Sequence, residues 1–551
     1  MTRKLWQAQR RFNLACSARL GRGLFATVTD ATGRPLSPAA TMRRVRHRAF
    51  AGAMLLSAVV AAGPASAQRP SGGSVRVATD HWANEYVAQL RARGYLTALN
   101  PLVQPWRAAD VARELEKLDR DTLPQPVRGW VSLLRSEFGW RAASDGPAVR
   151  GGGVVAAGVR ASTSQRLDAL RPLGEEEAWP RMQAGGWFEA GPVSADLRLL
   201  GDTYFDDDPD GLDPGQRRGA RSDVAYLAVD FPVASVELGR FARNWSLQAG
   251  DGLMVSDVAT PYPQFGFEVR AWRLALRSFT GELESISGRK RYVSAHRLDY
   301  ETENLVLSFG EATLYRPESG SLSLRFLNPV EFLFFDQDNA PYDAQQNLML
   351  SGQVWWSIRP VVLSGEFLLD DIDVAPTTDV AEPLVYALMV NADLPSLRPW
   401  LGLGARYQQV SAWAYRAYDD TDQYSYLDRG LGDNFSDFDR FTLSADLFPP
   451  VPGLRLTPTL QFQRQGEGDF RDSIPDAGYA GEPALFLGVV ERTFRAALRG
   501  RYQPVRFAWV GWDVGYNWIR NRDHVQDAAE NLFSAVAEVG VRINLPFRSG
   551  T

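Results

Sequence analysis

The chain has 551 residues, a net charge of −5, one cysteine, and 16 Trp, 18 Tyr and 28 Phe. The negative balance argues against nucleic acid as a partner, and no run approaches the roughly 18 apolar residues of a transmembrane helix. Mildly polar hydropathy with abundant aromatics is the profile of a membrane barrel, whose strands are half lipid-facing and half lumen-facing.

In chain order, the first signal lies around Met42. Arg43, Arg44, Arg46 and Arg48 precede an apolar run over 49–62, and Ala65-Ser66-Ala67 precedes Gln68. A basic stretch, a short apolar stretch and a small-x-small end describe a secretory signal peptide. Residues 1–41 then read as an upstream extension of the gene, 42–67 as the signal, and Ala67 as the cleavage point. The single cysteine, Cys16, lies upstream, which suits export to an oxidising compartment where stray thiols are hazardous.

Residues 68–145 read as a small helical, plug-like domain on the periplasmic side. Trp82, Tyr86, Val87 and Leu90 fall at helical spacing between a capping Asp80 and a terminating Gly94. A second helix is predicted from about Ala108 to Leu118, and a third after Pro126, carrying Trp130, Leu133, Leu134 and Phe138.

From 151 to 547 the period changes to two. Eighteen alternating segments run from 151–162 to 532–547, joined alternately by short turns and by long loops such as 242–262 and 412–437. That is the plan of an all-β transmembrane barrel of about 18 antiparallel strands, with both chain ends at the short-turn, periplasmic side. Leu454, Leu456, Pro458, Leu460 and Phe462 alternate with Arg455, Thr457, Thr459, Gln461 and Gln463. A charge on the lipid face costs roughly 2–4 kcal/mol near the midplane, so the arginine side must face inward. Segments 263–271 and 484–493 break the alternation and predict bulges or misplaced boundaries. The last segment sets Ala537, Val539, Val541, Ile543, Leu545 and Phe547 on one face. Its terminal aromatic, with Glu538, Gly540, Ile543 and Leu545 before it, resembles the signal read by barrel-insertion machinery.

Several stretches resemble the capsule assembly protein Wzi family. They are Gly239-Arg240, Gly250-Asp251-Gly252-Leu253-Met254-Val255-Ser256-Asp257 with Pro261 and Pro263, and Phe326-Leu327-Asn328-Pro329-Val330-Glu331. Asn347 to Gly352, Phe367 to Asp371 and Glu491-Arg492-Thr493-Phe494 are similar too. The resemblance implies a barrel closed by its helices whose outer face binds surface polysaccharide without catalysis. Asp80-His81-Trp82-Ala83, Arg93-Gly94-Tyr95-Leu96 and Ala109 to Arg113 resemble one S-layer-homology repeat, which implies a cell-wall contact.

Loop 412–437 mixes rings and carboxylates: Trp413, Tyr415, Tyr418, Tyr424 and Tyr426 with Asp419, Asp420 and Asp422. Aromatic faces stack on sugar C–H surfaces and carboxylates accept hydroxyl hydrogen bonds, so this loop is the candidate glycan site; an interface belt with a self-packed loop fits the composition equally. Inward Arg406, Arg455, Arg495, Arg499 and Arg501 form a basic lumen, for which Asp446, Glu366 and Glu538 are the candidate partners. They also support the alternative of a porin or transporter with an arginine-lined bore. Asp206, Asp208 and Asp210 before Gly211 resemble half of a calcium loop, but Arg217 stands where the bidentate Glu belongs, which favours a solvated acidic loop. Ser294 and His296 share one strand face, as in lipid-facing esterase pairs, and Asp370 and Asp371 alternate faces and cannot act on one bond. No catalytic or cofactor motif is present. The expected partners are surface polysaccharide, outer-membrane lipid and the insertion machinery, in the outer membrane of a Gram-negative-type cell.

Overall fold

The structure, a computed structural model, describes residues 72–139, 149–212, 219–247, 250–317, 320–334, 344–371, 384–475 and 483–549. The expected upstream extension and signal peptide lie outside the described residues.

Eighteen antiparallel strands close into one barrel. They begin with β1 (Val149–Ser162), β2 (Ala178–Ala190), β3 (Val193–Asp202), β4 (Ala220–Asp230), β5 (Ala234–Arg240) and β6 (Pro263–Ala271). The middle six are β7 (Leu274–Glu282), β8 (Tyr292–Glu301), β9 (Leu305–Pro317), β10 (Ala344–Ile358), β11 (Val361–Asp371) and β12 (Val385–Arg398). The last six are β13 (Leu401–Val410), β14 (Phe438–Leu447), β15 (Leu454–Gln465), β16 (Glu491–Val505), β17 (Ala508–Arg520) and β18 (Ala529–Ser549). The ring is sealed by β18 against β1, in unbroken register from Val536 opposite Ser162 to Phe547 opposite Gly151. Closure leaves no strand edge, which a lipid-embedded sheet requires.

The alternation read from sequence sorts the side chains as expected. Val539, Val541, Ile543, Leu545 and Phe547 are exposed on the outer wall, as are Leu460, Phe462, Phe494 and Leu498. Of the two irregular segments, 263–271 has neither a bulge nor a moved boundary, and 484–493 has the misplaced boundary expected of it. Over 263–271 the register with β5 and β7 is unbroken, with Phe265 and Val269 outward and Gln264 buried inward. β16 begins only at Glu491; residues 484–490 belong to the preceding loop, where the Phe486 N–H donates to Asp437. Register shifts fall instead between Arg198 and Leu199, Leu369 and Asp371, Leu394 and Arg398, and Tyr502 and Val505.

Strand connections are short at one end and long at the other. The Gly191-Pro192 turn joins β2 to β3 with Gly191 at φ 52, a conformation glycine adopts freely. At this short-turn end sit three helices, α1 (Ala83–Ala92), α2 (Ala108–Glu116) and α3 (Val127–Phe138). Asp80 does not cap α1, whose N-cap is Trp82; its carboxylate instead lies 3.2 Å from Arg181 of β2. The helices bury Tyr86, Leu90, Val111, Leu115, Trp130 and Leu134 in one core, which continues into Val154, Trp187 and Phe448 of the barrel. The helical segment is therefore a cap seated on the barrel mouth, and not a free module.

Candidate functional site

The cap is fastened around the rim by buried polar contacts. Arg76 bonds both oxygens of Asp230, each at 3.0 Å, and the Val75 N–H donates to Glu189 at 2.9 Å. Across the mouth, Gln89 donates to Asp446 at 2.8 Å, and Asn544 of β18 donates to Glu137 of α3 at 2.9 Å. His81 lies 3.7 Å from Glu137 and accepts the Ala83 N–H at Nδ1, so the ring is held neutral with its other nitrogen toward the carboxylate. Burial and nearby Arg542 push the His81 pKa down. Burial raises Glu137, but His81, Arg542 and Asn544 outweigh it and hold the carboxyl at about 2.

A second layer comes from the opposite end. The described parts of the connection between β5 and β6, 241–247 and 250–262, turn into the bore and bury Trp245, Leu253, Met254 and Val255. Glu366 of β11 fixes it, accepting from Ser246 Oγ at 2.9 Å and from the Leu253 and Met254 N–H groups at 3.2 Å. The loop reaches the cap itself: Asn244 and Gln104 form an antiparallel bridge. Arg297 of β8 joins both partners, donating to the carbonyls of Leu102 and Trp245.

Loop 411–437 locks onto this layer. Tyr415 and Tyr424 donate to the carbonyls of Leu253 and Met254 at 2.7 and 2.9 Å, and the Ser256 N–H donates to Leu431. At Gly432 a Cβ would lie 2.1 Å from the Leu253 carbonyl oxygen, so the two loops approach as closely as only glycine allows.

The sequence-derived glycan candidates therefore divide. Trp413, Tyr415, Tyr424 and Tyr426 are buried in the core of this inner layer, where their rings offer no face to a ligand. Asp422 is buried on Arg316, and Asp370 accepts the Tyr415 N–H. Tyr418, Asp419 and Asp420 stand at the surface; Asp419 accepts from Thr421, is held well below the usual carboxylate range by those bonds, and lies 3.3 Å from exposed Arg289. The composition that marks a sugar site also marks an aromatic plug, and only packing separates them.

Between cap and loops lies a cavity of about 1050 Å³, lined by Arg406, Arg455, Arg499 and Arg501 with Asp251, Asp433 and Glu538 among others. The lumen arginines face carboxylates. Arg406 and Arg440 share Asp251 at 2.8 and 3.3 Å, and Arg455 meets Asp446 at 2.7 Å. Arg495 meets Asp513 at 2.8 Å, Arg499 stands 3.9 Å from it, and Arg501 stands 3.8 Å from Glu85 of the cap. Of the three acidic partners read from sequence, Asp446 takes an arginine, Glu366 anchors the inward loop, and Glu538 lines the cavity. Burial resists ionisation of Asp251, but Arg406 and Arg440 outweigh it and hold its carboxyl below the usual range. Burial pushes Asp433 up to about 7 against the pull of Arg440.

The acidic loop is also engaged. Asp208 pairs with Arg429, and Asp210 lies 3.5 Å from Arg471, so two of the three carboxylates are held by arginine; Arg217 lies outside the described residues. Ser294 and His296 point to the outer face of the barrel yet are buried, with Ser294 on Thr280 at 2.7 Å and His296 3.5 Å from Ser278 and Glu311.

With this geometry in hand, comparison with solved structures finds Escherichia coli Wzi, described as a carbohydrate-binding β-barrel involved in group 1 capsule assembly. The TM-score is 0.56 at 12% identity, over 85% of this chain and 99% of that one. The fold is that of an outer-membrane barrel. Acinetobacter baumannii OccAB1 gives 0.44 at 10% identity, over 74% of this chain and 99% of that one. Pseudomonas aeruginosa OccK5 gives 0.40 at 11%, over 72% and 98%. No family model matches the chain, and no curated protein matches it significantly.

Proposed function

We propose that this chain is an outer-membrane barrel that binds or helps assemble surface (capsular) polysaccharide at the cell surface, as a lectin and not as an enzyme. The observation that carries the reading is the doubly closed lumen: a helical cap at one mouth, one inward loop bonded to that cap, and a second loop bonded to the first. A bore obstructed at both ends, with an enclosed cavity between, leaves the outer loops as the working face for a ligand too large to enter. Wzi, the barrel with the same strand plan, is described as carbohydrate-binding. Tyr418 with Asp419 and Asp420 is the candidate contact, one ring for a sugar face beside two hydroxyl acceptors. Surrounding lipid and, through β18, the insertion machinery complete the partners, after cleavage near Ala67. The porin or transporter reading is the weaker one, because the lumen arginines face carboxylates of the wall, loops and cap.

The test is direct binding of the purified, folded protein to capsular polysaccharide from its source cells. Saturable binding, weakened about tenfold in a Tyr418→Ala, Asp420→Asn variant (about 1.4 kcal/mol), is expected. No binding to any surface polysaccharide of the source cell overturns the reading.

A further inference from the structure

The outer wall of the barrel has one place where its apolar rule is broken. On β9, Leu307 and Phe309 face outward and are exposed, while Arg316 faces inward onto Asp422. By the same alternation Glu311 and Thr313 face outward. Their cross-strand neighbours His296 and Ser294 on β8, and Ser278 and Thr280 on β7, share that face. Six residues of tilted strand separate Leu305, at the short-turn end, from Glu311. That is about 15 Å along the barrel axis, inside an apolar band about 25 Å tall. A bare carboxylate at that depth is costly, yet all six groups are buried.

Segment 320–334 is what covers them. It leaves the top of β9 and folds back over the outside of the wall. Phe326 stacks on Tyr315 at 3.8 Å, and the Tyr292 hydroxyl donates to the Gly320 carbonyl. The Leu333 and Phe334 N–H groups donate to Glu311 at 3.0 and 3.4 Å. Asn328 holds the strap's own turn, accepting the Val330 N–H and donating to Glu331. The strap's other side is apolar and open: Leu324 is 81% exposed and Val330 74%. Phe332, also exposed, sits 6.1 Å from Phe309, a residue of the lipid-facing belt.

We infer that segment 320–334 is an interfacial membrane element, with Leu324, Val330 and Phe332 immersed in the acyl chains of the bilayer leaflet beside the barrel. Continuity with the belt through Phe332 and Phe309 identifies the occupant. The inference rests on the barrel being membrane-embedded. It assigns to the Phe326–Glu331 stretch a role on the lipid side, separate from the glycan-binding face.

Single cysteines test it, in a Cys16→Ser background, since no other cysteine occurs in the chain. Leu324→Cys and Val330→Cys are labelled with bimane and reconstituted in phosphatidylcholine vesicles. Leu460→Cys on the β15 belt and Asp428→Cys on a loop are the controls. The expected result is quenching of 324 and 330 by acyl-chain nitroxide lipid to within about twofold of 460, with iodide quenching only 428. Iodide quenching at 324 and 330 while 460 reports lipid overturns the inference and leaves the barrel reading intact. Quenching by neither agent means a protein surface, such as a second copy, covers the strap, and also overturns it. Failure of 460 to report lipid sinks the membrane reading and the inference with it.

Discussion

Gln104 of the helical cap and Asn244 of the inward loop exchange both backbone hydrogen bonds, at 2.8 and 3.1 Å. This bridge ties the layer that enters from the long-loop end to the layer that closes the short-turn end. A closed column predicts no steady current from the wild-type protein in planar bilayers. Asn244→Pro removes one donor and costs roughly 1–3 kcal/mol at a buried site. It is expected to add intermittent openings to a silent trace. Steady ohmic conductance from the unaltered protein would contradict the closed-lumen account.

Glu366 gives a second handle on the same layer. Replacement by Ala strands three donors on loop 241–262, and is expected to lower stability by about 2–5 kcal/mol. Protease cleavage within 241–262 should rise while the strands stay protected. Glu366→Gln keeps two acceptor sites and should lie between. Equal protection of all three proteins would show that the loop is held by other means.

The cap should be pH-sensitive. His81 has its folded pKa below the ordinary value of about 6.5, so its contribution is full above that pH and is lost as pH falls through the folded value. Protonation would also break the Ala83 N–H bond to Nδ1. Glu137, at about 2 against an ordinary 4.5, adds a second loss between pH 4.5 and 2. Tryptophan fluorescence of the cap, through Trp82 and Trp130, should report loosening below about pH 6.5. His81→Gln should remove the first step and shrink the second, since His81 is the largest of the groups that hold the Glu137 carboxyl down.

The β18–β1 seam is the fourth test. A Cβ on Gly151 would sit 2.4 Å from the Phe547 ring, so the terminal aromatic lies directly over glycine. Gly151→Val should clash with that ring, and Phe547→Ala should strip about 1–3 kcal/mol of apolar contact from the outer wall. Both are expected to reduce the heat-modifiable folded band in gels, Gly151→Val more strongly. Full recovery of both would show that this contact does not matter for closure.

The barrel was legible because lipid leaves a plain mark. An outward charge is expensive, so Leu454 to Phe462 and Ala537 to Phe547 alternate without exception over their lengths. What lies inside the bore was not legible. Trp413, Tyr415, Tyr424 and Tyr426 have the composition of a sugar site, and their burial depends on Leu253 and Met254, some 160 residues away. The apolar stretch 484–490 reads as strand, but Asp437 draws it into a loop. Ser294 and His296 share an outward face in the sequence, but their burial there beside Glu311 was not legible, because the strap that hides them is a separate segment. Local pattern encodes what each residue faces across a strand; it does not encode which loop returns to cover it.

Retention of polysaccharide on cells decides whether this barrel acts at the surface. Surface polysaccharide is partitioned between cells and medium in a strain lacking this gene, in one carrying it back, and in one carrying the Tyr418→Ala, Asp420→Asn variant. The deletion is expected to shed polysaccharide, the restored strain to retain it, and the variant to shed part while its barrel folds normally. Equal retention in all three strains would contradict that role.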